Sequence, residues 1–370
     1  MQRDHNVVEH LVDKELVVNK IKLMMDNLTT IKDSGEYLLH FDEVIVDDKS
    51  WNVWNWPQGV GLFGIFKYYQ LTKDEVALKI VTDWFERQFD IGAPPKNINT
   101  MAPLLVMAYL YEETQDSRYL PYLENWSEWA MNQLPRTQEG GFEHLTYGPE
   151  NVEQLWDDTL MMTVLPLAKI GMLLGRKDYV EESKRQFMIH AKYLQDRKTG
   201  LWYHGWTFEG HHHYAEALWA RGNCWITIAI PEIIEILNLQ PEDALHQFLV
   251  STLQRQIEAL MACQDVSGLW TTLLDDPNSY VESSATAGFI YGILKSIRKG
   301  YVSSEYLDAI EQSVAALIEQ IDEKGEVQNV SVGTGMGPDL DFYRNIAKTA
   351  MPYGQSLSVL ALTEYLYTFI

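Results

Sequence analysis

Two kinds of helical pattern alternate along this chain. In the first, apolar positions recur on one face and charges cover the other, as in the outer helices of a fold. These amphipathic segments lie near 7–31, 73–90, 116–134, 177–195, 241–263 and 303–322. The second kind is apolar nearly all round and has small residues near its start; its segments lie near 57–70, 101–114, 157–174, 216–238, 282–297 and 353–369. A helix that is apolar on every side is buried on every side. The pattern therefore predicts alternating outer and inner helices.

Six outer and six inner helices in strict alternation predict an all-α fold, an (α/α)6 barrel formed by a single domain over 1–370. An open solenoid of stacked helix pairs is the alternative. Glycine-plus-aromatic pairs recur after Gly140, Gly200 and Gly268, which supports a repeat architecture. We favour a closed barrel because neither terminal helix pair is polar enough to cap an open array.

The loops predict where a site would lie. Outer-to-inner loops are long and rich in Trp, His and Gly, and they cover 32–56, 135–156, 196–215, 264–281 and 323–352. Inner-to-outer loops, such as 71–74, are short. Long loops are usually functional. In a barrel they would gather at the N-termini of the inner helices, which favour anions.

Composition excludes several classes of protein. The net charge is −23 and no basic cluster is present, which argues against nucleic acid and anionic membranes as partners. No apolar stretch is long enough to span a membrane, and no signal sequence follows Met1. We therefore expect a cytoplasmic protein. An anionic ligand would need local positive charge at its site. Cys224 and Cys263 lie in apolar helical segments and are expected to be small buried hydrophobes.

Twelve Trp and 20 Tyr indicate either stacking platforms for ring-shaped ligands or the filling of a large core. Composition does not decide between them.

The candidate chemistry centres on two adjacent acids, Asp157 and Asp158, at the start of an otherwise apolar helix and just after Trp156. Successive helical residues project about 100° apart. One acid can therefore face the barrel axis while the other caps the helix or faces outward. The residues alone do not say which one does so.

Other polar residues fall in equivalent loops or helix starts. His204 lies between aromatic residues, and His144 occupies the corresponding loop one repeat earlier. Arg221 begins an inner helix, and a buried arginine needs an anionic partner, either a structural carboxylate or one on a substrate. The run 211–213 of three histidines has no nearby acid set or i,i+4 pairing, so we expect no metal site.

Taken together, these motifs resemble the unsaturated rhamnogalacturonyl hydrolases, glycoside hydrolase family 105, which are related to the unsaturated glucuronyl hydrolases of family 88. Any one motif is weak, but their order and spacing are specific. The resemblance runs from about residue 51 to the C-terminus and rests on the segments 54–60, 140–144, 154–158, 200–206, 219–221, 282–284 and 332–334.

The resemblance implies an (α/α)6 barrel. We expect no cofactor and no metal. The expected partner is an oligosaccharide with a 4,5-unsaturated uronate at its non-reducing end, as produced by a lyase. The family's acid, which protonates C4 before water adds at C5, falls on Asp158. The expected substrate-binding residues are Asn99, His144, Trp156, His204, Arg221 and Trp225.

The implied chemistry makes a demand on Asp158. It must hold a proton near neutral pH, whereas a helix N-terminus lowers a carboxyl pKa. Burial against Trp156 and repulsion from the substrate carboxylate would have to raise it. Arg221, His144 and His204 would supply the local positive charge. Some relatives carry a second Asp that helps to tune the acid, but the corresponding residue here is Asn99, which cannot repel a charge.

Two alternatives belong to other classes. A sugar 2-epimerase uses the same barrel with histidines as acid and base, and would be built on His144 and His204. A non-enzymatic helical-repeat scaffold would present a concave surface without a buried acid, so the Asp157–Asp158 pair counts against it.

Overall fold

The computed structural model of the protein describes residues 10–41 and 44–370. The outer helices are α1 (Lys14–Thr30), α3 (Glu75–Ile91), α5 (Leu120–Asn132), α7 (Lys177–Leu194), α9 (Ala244–Ala262) and α11 (Leu307–Glu319). The inner helices are α2 (Trp56–Thr72), α4 (Leu104–Thr114), α6 (Leu165–Leu173), α8 (Ala220–Ile236), α10 (Ser283–Arg298) and α13 (Pro352–Tyr365). The short α12 (Leu340–Arg344) lies in the last long loop. Positions 7–9 of the first predicted helix lie outside the described residues.

The inner helices form a closed ring. Each contacts the next in the order α2, α4, α6, α8, α10, α13, and α13 returns to contact α2. The outer helices pack against this ring, with α1 against α13 and α3 against α2. The prediction of a closed helical barrel is therefore confirmed, and the open solenoid is excluded.

Burial follows the two sequence patterns. All fourteen residues of α13 are buried, whereas the outer helix α3 buries one stripe that includes Val81, Trp84 and Phe85. Small residues let the inner helices approach closely. A Cβ atom added at Gly292 of α10 would lie 2.3 Å from the carbonyl oxygen of Thr227 on α8. The ring is thus held by close-packed apolar helices rather than by surface pairs.

One inner helix begins differently from its prediction. The segment predicted at 157–174 starts with a π-helical turn, Leu160–Val164, before α6. Pro166 explains the wider turn, because it has no N–H to donate to the carbonyl of Met162 one turn earlier. A π-helical turn is frequent at functional sites. Here it lies directly after the acidic pair.

Short antiparallel strands join the long loops, and the sequence pattern did not predict them. They are β1 (Leu39–Phe41) with β2 (Val44–Val46), β3 (Gln154–Trp156) with β4 (Gly205–Thr207), and β5 (Trp270–Thr271) with β6 (Val281–Glu282). Two or three residues are too few to show strand alternation. The β3–β4 pairing places Trp156 opposite Gly205, so it brings Asp157 beside His204.

Within residues 10–41 and 44–370, no helix is both long and apolar enough to cross a membrane. Cys224 is buried, as expected, and Cys263 is partly buried. Both are free thiols.

Candidate active site

A cavity of about 550 Å³ opens at the N-terminal ends of the inner helices. The long loops 32–56, 135–156 and 323–352 supply most of its wall, as the loop asymmetry predicts. Its aromatic and charged lining residues are Phe41, Asp48, Trp56, His144, Tyr147, Trp156, Asp158, Tyr214, Trp219 and Arg221. Asn99 also lines it. The cavity therefore combines flat apolar surfaces with two carboxyl groups and one guanidinium group.

The two adjacent acids occupy different environments. Asp158 lines the cavity, and 17% of its side chain is exposed. Asp157 is completely buried, and its backbone N–H donates to the carbonyl of His204 at 3.1 Å. Its carboxyl group lies against Gly222 in the first turn of α8. The structure thus decides what the sequence left open: Asp158 is the acid that a ligand can reach.

His204 lies behind Asp158 and outside the cavity lining. Its Nε2 atom is 3.5 Å from Oδ2 of Asp158, and its Nδ1 atom is 2.7 Å from the hydroxyl of Tyr343. Its ring packs on Trp219 with centroids 4.3 Å apart, and Trp156 meets it edge-on at 5.2 Å. These contacts fix the imidazole, so His204 is placed to orient Asp158.

His144 lies in the wall on the other side of Trp156. The two rings stack with centroids 4.3 Å apart and an interplanar angle of 8°. Nδ1 of His144 is 2.9 Å from the hydroxyl of Thr159. Burial lowers the pKa of His144 to about 4. His144 is therefore neutral at pH 7, and the expectation that it supplies positive charge is wrong.

The pKa values of the acidic pair diverge. Burial raises the pKa of Asp157 well above its usual range, and the charge of the neighbouring Asp158 raises it further. Burial alone would raise the pKa of Asp158 as well, but the imidazole of His204, 3.5 Å away, holds it below its usual range. The expected raised pKa at Asp158 is therefore found at Asp157 instead.

Arg221 is almost fully buried, and its guanidinium group donates hydrogen bonds to several protein groups. It donates to the carbonyls of Ser331 at 3.2 Å and Val332 at 3.0 Å, and to the hydroxyl of Thr334 at 2.9 Å. Its charge is balanced by the buried carboxylate of Glu282 at 3.6 Å. The structure thus supplies a structural carboxylate for Arg221. The guanidinium group also lines the cavity, where a second anion could meet it.

The remaining predicted residues divide into two groups. Asn99 and Trp156 line the cavity, and the indole N–H of Trp156 donates to the side chain of Gln154 at 2.9 Å. Trp225 is completely buried and lies outside the lining. It meets Trp56 edge-on, with ring centroids 5.8 Å apart. Trp225 therefore packs against Trp56, which lines the cavity. The expectation that Trp225 itself lies in the ligand-binding surface is corrected.

Asp48 is the main cavity acid that the sequence analysis missed. It is buried, its Oδ1 accepts a hydrogen bond from the amide of Asn55 at 2.6 Å, and burial raises its pKa to about 6. In the sequence it is one of two adjacent acids in a polar loop, which is typical of a solvent-exposed turn. The one available signal was the length of that loop.

Tyr343 was missed for a similar reason, because its segment was expected to be loop. The tyrosine lies on α12 and is completely buried.

Among the described residues, one group offers three potential metal-ligand atoms within 4.8 Å of one another: Asp157, Asp158 and His204. The histidine run 211–213 contributes nothing to it, and Nε2 of His213 is instead 2.7 Å from the carbonyl of Tyr193.

A closed ring of paired helices with an acid at the wall of an aromatic cavity is the architecture of a barrel-type carbohydrate-active enzyme. Residues 30–369 match the model of Glycosyl Hydrolase Family 88, and the chain belongs to this family. It is a glycosidase. The resemblance inferred from the sequence motifs is confirmed. The 2-epimerase and the binding scaffold are not retained, because the family is one of hydrolases.

Individual relatives agree with this assignment. The unsaturated rhamnogalacturonyl hydrolase YesR of Bacillus subtilis is 33% identical over 85% of this chain and 90% of its own length. A crystal structure from Salmonella enterica serovar Paratyphi A, described as a possible member of the GH105 family, is 53% identical. Its TM-score is 0.97, over 98% of this chain and 96% of that one. A similarly described structure from Klebsiella pneumoniae is 51% identical over 98% of this chain and 96% of that one, with a TM-score of 0.96.

Proposed function

We propose that this glycosidase removes a 4,5-unsaturated galacturonyl residue from the non-reducing end of rhamnogalacturonan-derived oligosaccharides. Asp158 would act as the general acid and base. The observation that carries the proposal is the position of Asp158, the acid beside His204 that reaches the cavity from the start of an inner helix. The name of the Bacillus relative supports the substrate class.

The proposed reaction is the hydration of an enol ether. Asp158 gives its proton to C4 of the C4=C5 double bond, and positive charge develops at C5 and the ring oxygen. Water adds at C5 and returns a proton to Asp158. The resulting hemiketal opens, the bond to the neighbouring sugar breaks, and that sugar leaves. Asp158 ends in its original state, so no second catalytic carboxylate is required to form a covalent intermediate.

The cavity has the size and surfaces that such a substrate needs. Ligand cavities typically measure about 300–1,000 Å³, and this one lies within that range. Trp56 and Trp156 offer flat faces for sugar rings. Arg221 and the N-termini of the inner helices offer positive potential to the uronate carboxylate. His204 would hold Asp158 in place, and Asn99 could donate to a sugar hydroxyl.

The test uses an unsaturated galacturonyl-rhamnose disaccharide. The enol ether absorbs in the ultraviolet, so its hydration is followed as a loss of absorbance. We expect Asp158→Asn to lower kcat by about 10²–10⁴-fold, the usual contribution of a general acid or base. Asp83→Asn, which changes an exposed acid on α3, should leave the rate unchanged.

Two results would count against the proposal. No loss of absorbance with the native protein would reject this substrate, and an unsaturated glucuronyl disaccharide run in parallel would show whether another uronate is preferred. Full activity in Asp158→Asn would reject Asp158 as the proton donor.

A further inference from the structure

We propose that Asp157 stores the proton that Asp158 delivers, so that the two adjacent carboxyl groups work as a pair sharing one proton. Asp157 would be a positioning residue and proton store, since it does not reach the cavity. The inference rests on the proposed role of Asp158. Its central claim, that Asp157 is neutral at pH 7, can be tested without any substrate.

The first argument is that the carboxyl oxygens of Asp157 are buried without a well-formed hydrogen bond to any described residue. Within the described residues, neither of its carboxyl oxygens accepts a hydrogen bond from another side chain or backbone group that satisfies ordinary geometry. Oδ2 of Asp158 and Nε2 of His204 are also buried without such a partner. All three groups offer atoms within 4.8 Å of one another. A proton on Asp157, directed at Asp158, would satisfy both carboxyl groups.

The second argument is charge. An ionised carboxylate without solvent or a cation is very costly to bury, and such a group usually takes up a proton instead. No salt bridge in the described part of the chain reaches Asp157, whereas Oδ2 of Asp158 next to it lies 3.5 Å from Nε2 of His204. Arg221, on the adjoining turn of α8, is committed to Glu282. Ionising both acids would leave two like charges side by side in a buried place.

The titratable groups that face Asp157 from the neighbouring elements also indicate that Asp157 is neutral. Asp158 follows it on its own segment, His204 approaches from the loop after α7, and Tyr343 from α12. Cys224 faces it from α8. The N-terminus of α8 favours an anion, but no N–H of its first turn is hydrogen-bonded to Asp157 within the described residues. The pKa of Asp157, raised by burial, agrees with a neutral acid.

The local packing is specific to an acid of this size. A Cβ atom added at Gly222 would lie 2.2 Å from Oδ2 of Asp157. The first turn of α8 therefore leaves room for the carboxyl group only because residue 222 is glycine. Asn99, the other polar residue considered for tuning Asp158, has an amide that cannot give up or accept a proton at neutral pH. Asp157 is thus the acid that can do so next to Asp158.

The proposed proton movement balances. In the resting pair, Asp157 is protonated and Asp158 is ionised. When the anionic substrate binds, the proton moves from the carboxyl oxygen of Asp157 to that of Asp158. Asp158 then passes it to C4 of the substrate. Water that adds at C5 returns one proton to Asp158, and the pair again holds a single proton.

The kinetic test is the pH profile of kcat/KM in Asp157→Asn. The amide keeps the shape and a hydrogen-bond donor but cannot transfer a proton. We expect the alkaline limb of the profile to move to lower pH by about one unit or more, because Asp158 must then acquire its proton from solvent. Asp83→Asn is the control and should keep the native profile. An unchanged profile in Asp157→Asn would overturn the inference, because it would show that residue 157 needs only to donate a hydrogen bond and not to transfer a proton.

A second measurement covers the case in which Asp157→Asn does not fold. Native protein labelled with ¹³C at the aspartate carboxyl carbons is titrated by NMR. We expect one aspartate to remain protonated at pH 7–8, and full ionisation of every aspartate at that pH would overturn the inference. If a protonated aspartate is seen but no unsaturated uronate is hydrated, the proposed function fails and the neutral acid stands.

Discussion

His204 connects Tyr343 to Asp158. The tyrosine hydroxyl oxygen accepts a hydrogen bond from the backbone N–H of Gly337 at 3.1 Å. Its own proton can then be donated to Nδ1 of His204, 2.7 Å away. When the ring carries a single proton, that proton then lies on Nε2, which is 3.5 Å from Oδ2 of Asp158. The tyrosine thus fixes the tautomer in which His204 is a donor to the proposed catalytic acid.

Tyr343→Phe should lower kcat by about 10-fold, which corresponds to roughly 1.4 kcal/mol, the size of one hydrogen bond. Without the hydroxyl, His204 loses its preferred tautomer and orientation. The rate is measured with the unsaturated disaccharide at saturating concentration. Tyr111→Phe, on the last turn of α4 away from the cavity, is the control and should retain full activity. A native kcat in Tyr343→Phe would show that the tautomer does not matter.

Gly222→Ala should destabilise the protein by about 1–3 kcal/mol, because its methyl group would overlap the buried carboxyl of Asp157. In an ordinary helix the same change stabilises by about 0.5–1 kcal/mol. Urea unfolding gives the free energy in each case. In an Asp157→Ala background the overlap disappears, so Gly222→Ala should there be neutral or stabilising. Equal costs in both backgrounds would mean that the two residues do not interact.

Arg221→Met should cost about 3–5 kcal/mol of stability, since it leaves the buried carboxylate of Glu282 without a cation. Restoring neutrality with Glu282→Gln in the same chain should recover part of this loss. Both are measured by urea unfolding at pH 7. The control is Arg118→Met, which removes an exposed ion pair with Asp116 and should change little. A comparable loss in both single variants would refute a special role for burial.

Stability should fall as the pH is lowered from about 6.5 to 4. Burial lowers the pKa values of His144 and His190 to about 4 from the ordinary 6.5. The unfolded chain therefore binds more protons in this window, and the folded state loses stability as pH falls. Each histidine can contribute on the order of 3 kcal/mol. Asp48 acts in the opposite direction, because its pKa is raised to about 6 and its burial becomes less costly once it is protonated.

The measurement for this prediction is the free energy of unfolding between pH 4 and 7. His190→Gln removes one of the two groups at a distance from the cavity, so the slope with pH should become shallower. An unchanged slope would mean that His190 does not remain neutral in the folded protein.

The barrel was predictable because its signal is spread over many residues. All-round apolar segments such as α8 and α13 can be buried only between other helices, and their alternation with amphipathic segments gives the layer order. Helix starts were less predictable. The π-helical turn before α6 depends on Pro166, one residue within a segment whose overall pattern is helical.

The site was predictable only where chemistry was concentrated in a motif. Asp158, Trp156 and Arg221 follow one another in segments that the fold brings together, whereas Asp48 and Tyr343 come from loops without a pattern. The pKa assignment failed for a different reason. Which acid of the pair keeps a proton depends on distances to His204 and Gly222, which lie about 45 and 65 residues further along the chain.

The contact of α13 with α2 also governs how the protein should unfold. In a linear array of repeats, the end units have one neighbour and can fray independently. Here every inner helix has a neighbour on both sides, so there is no end from which loss of structure can begin. We expect cooperative, all-or-none melting of the ring, in which the cavity is lost together with the helices that surround it.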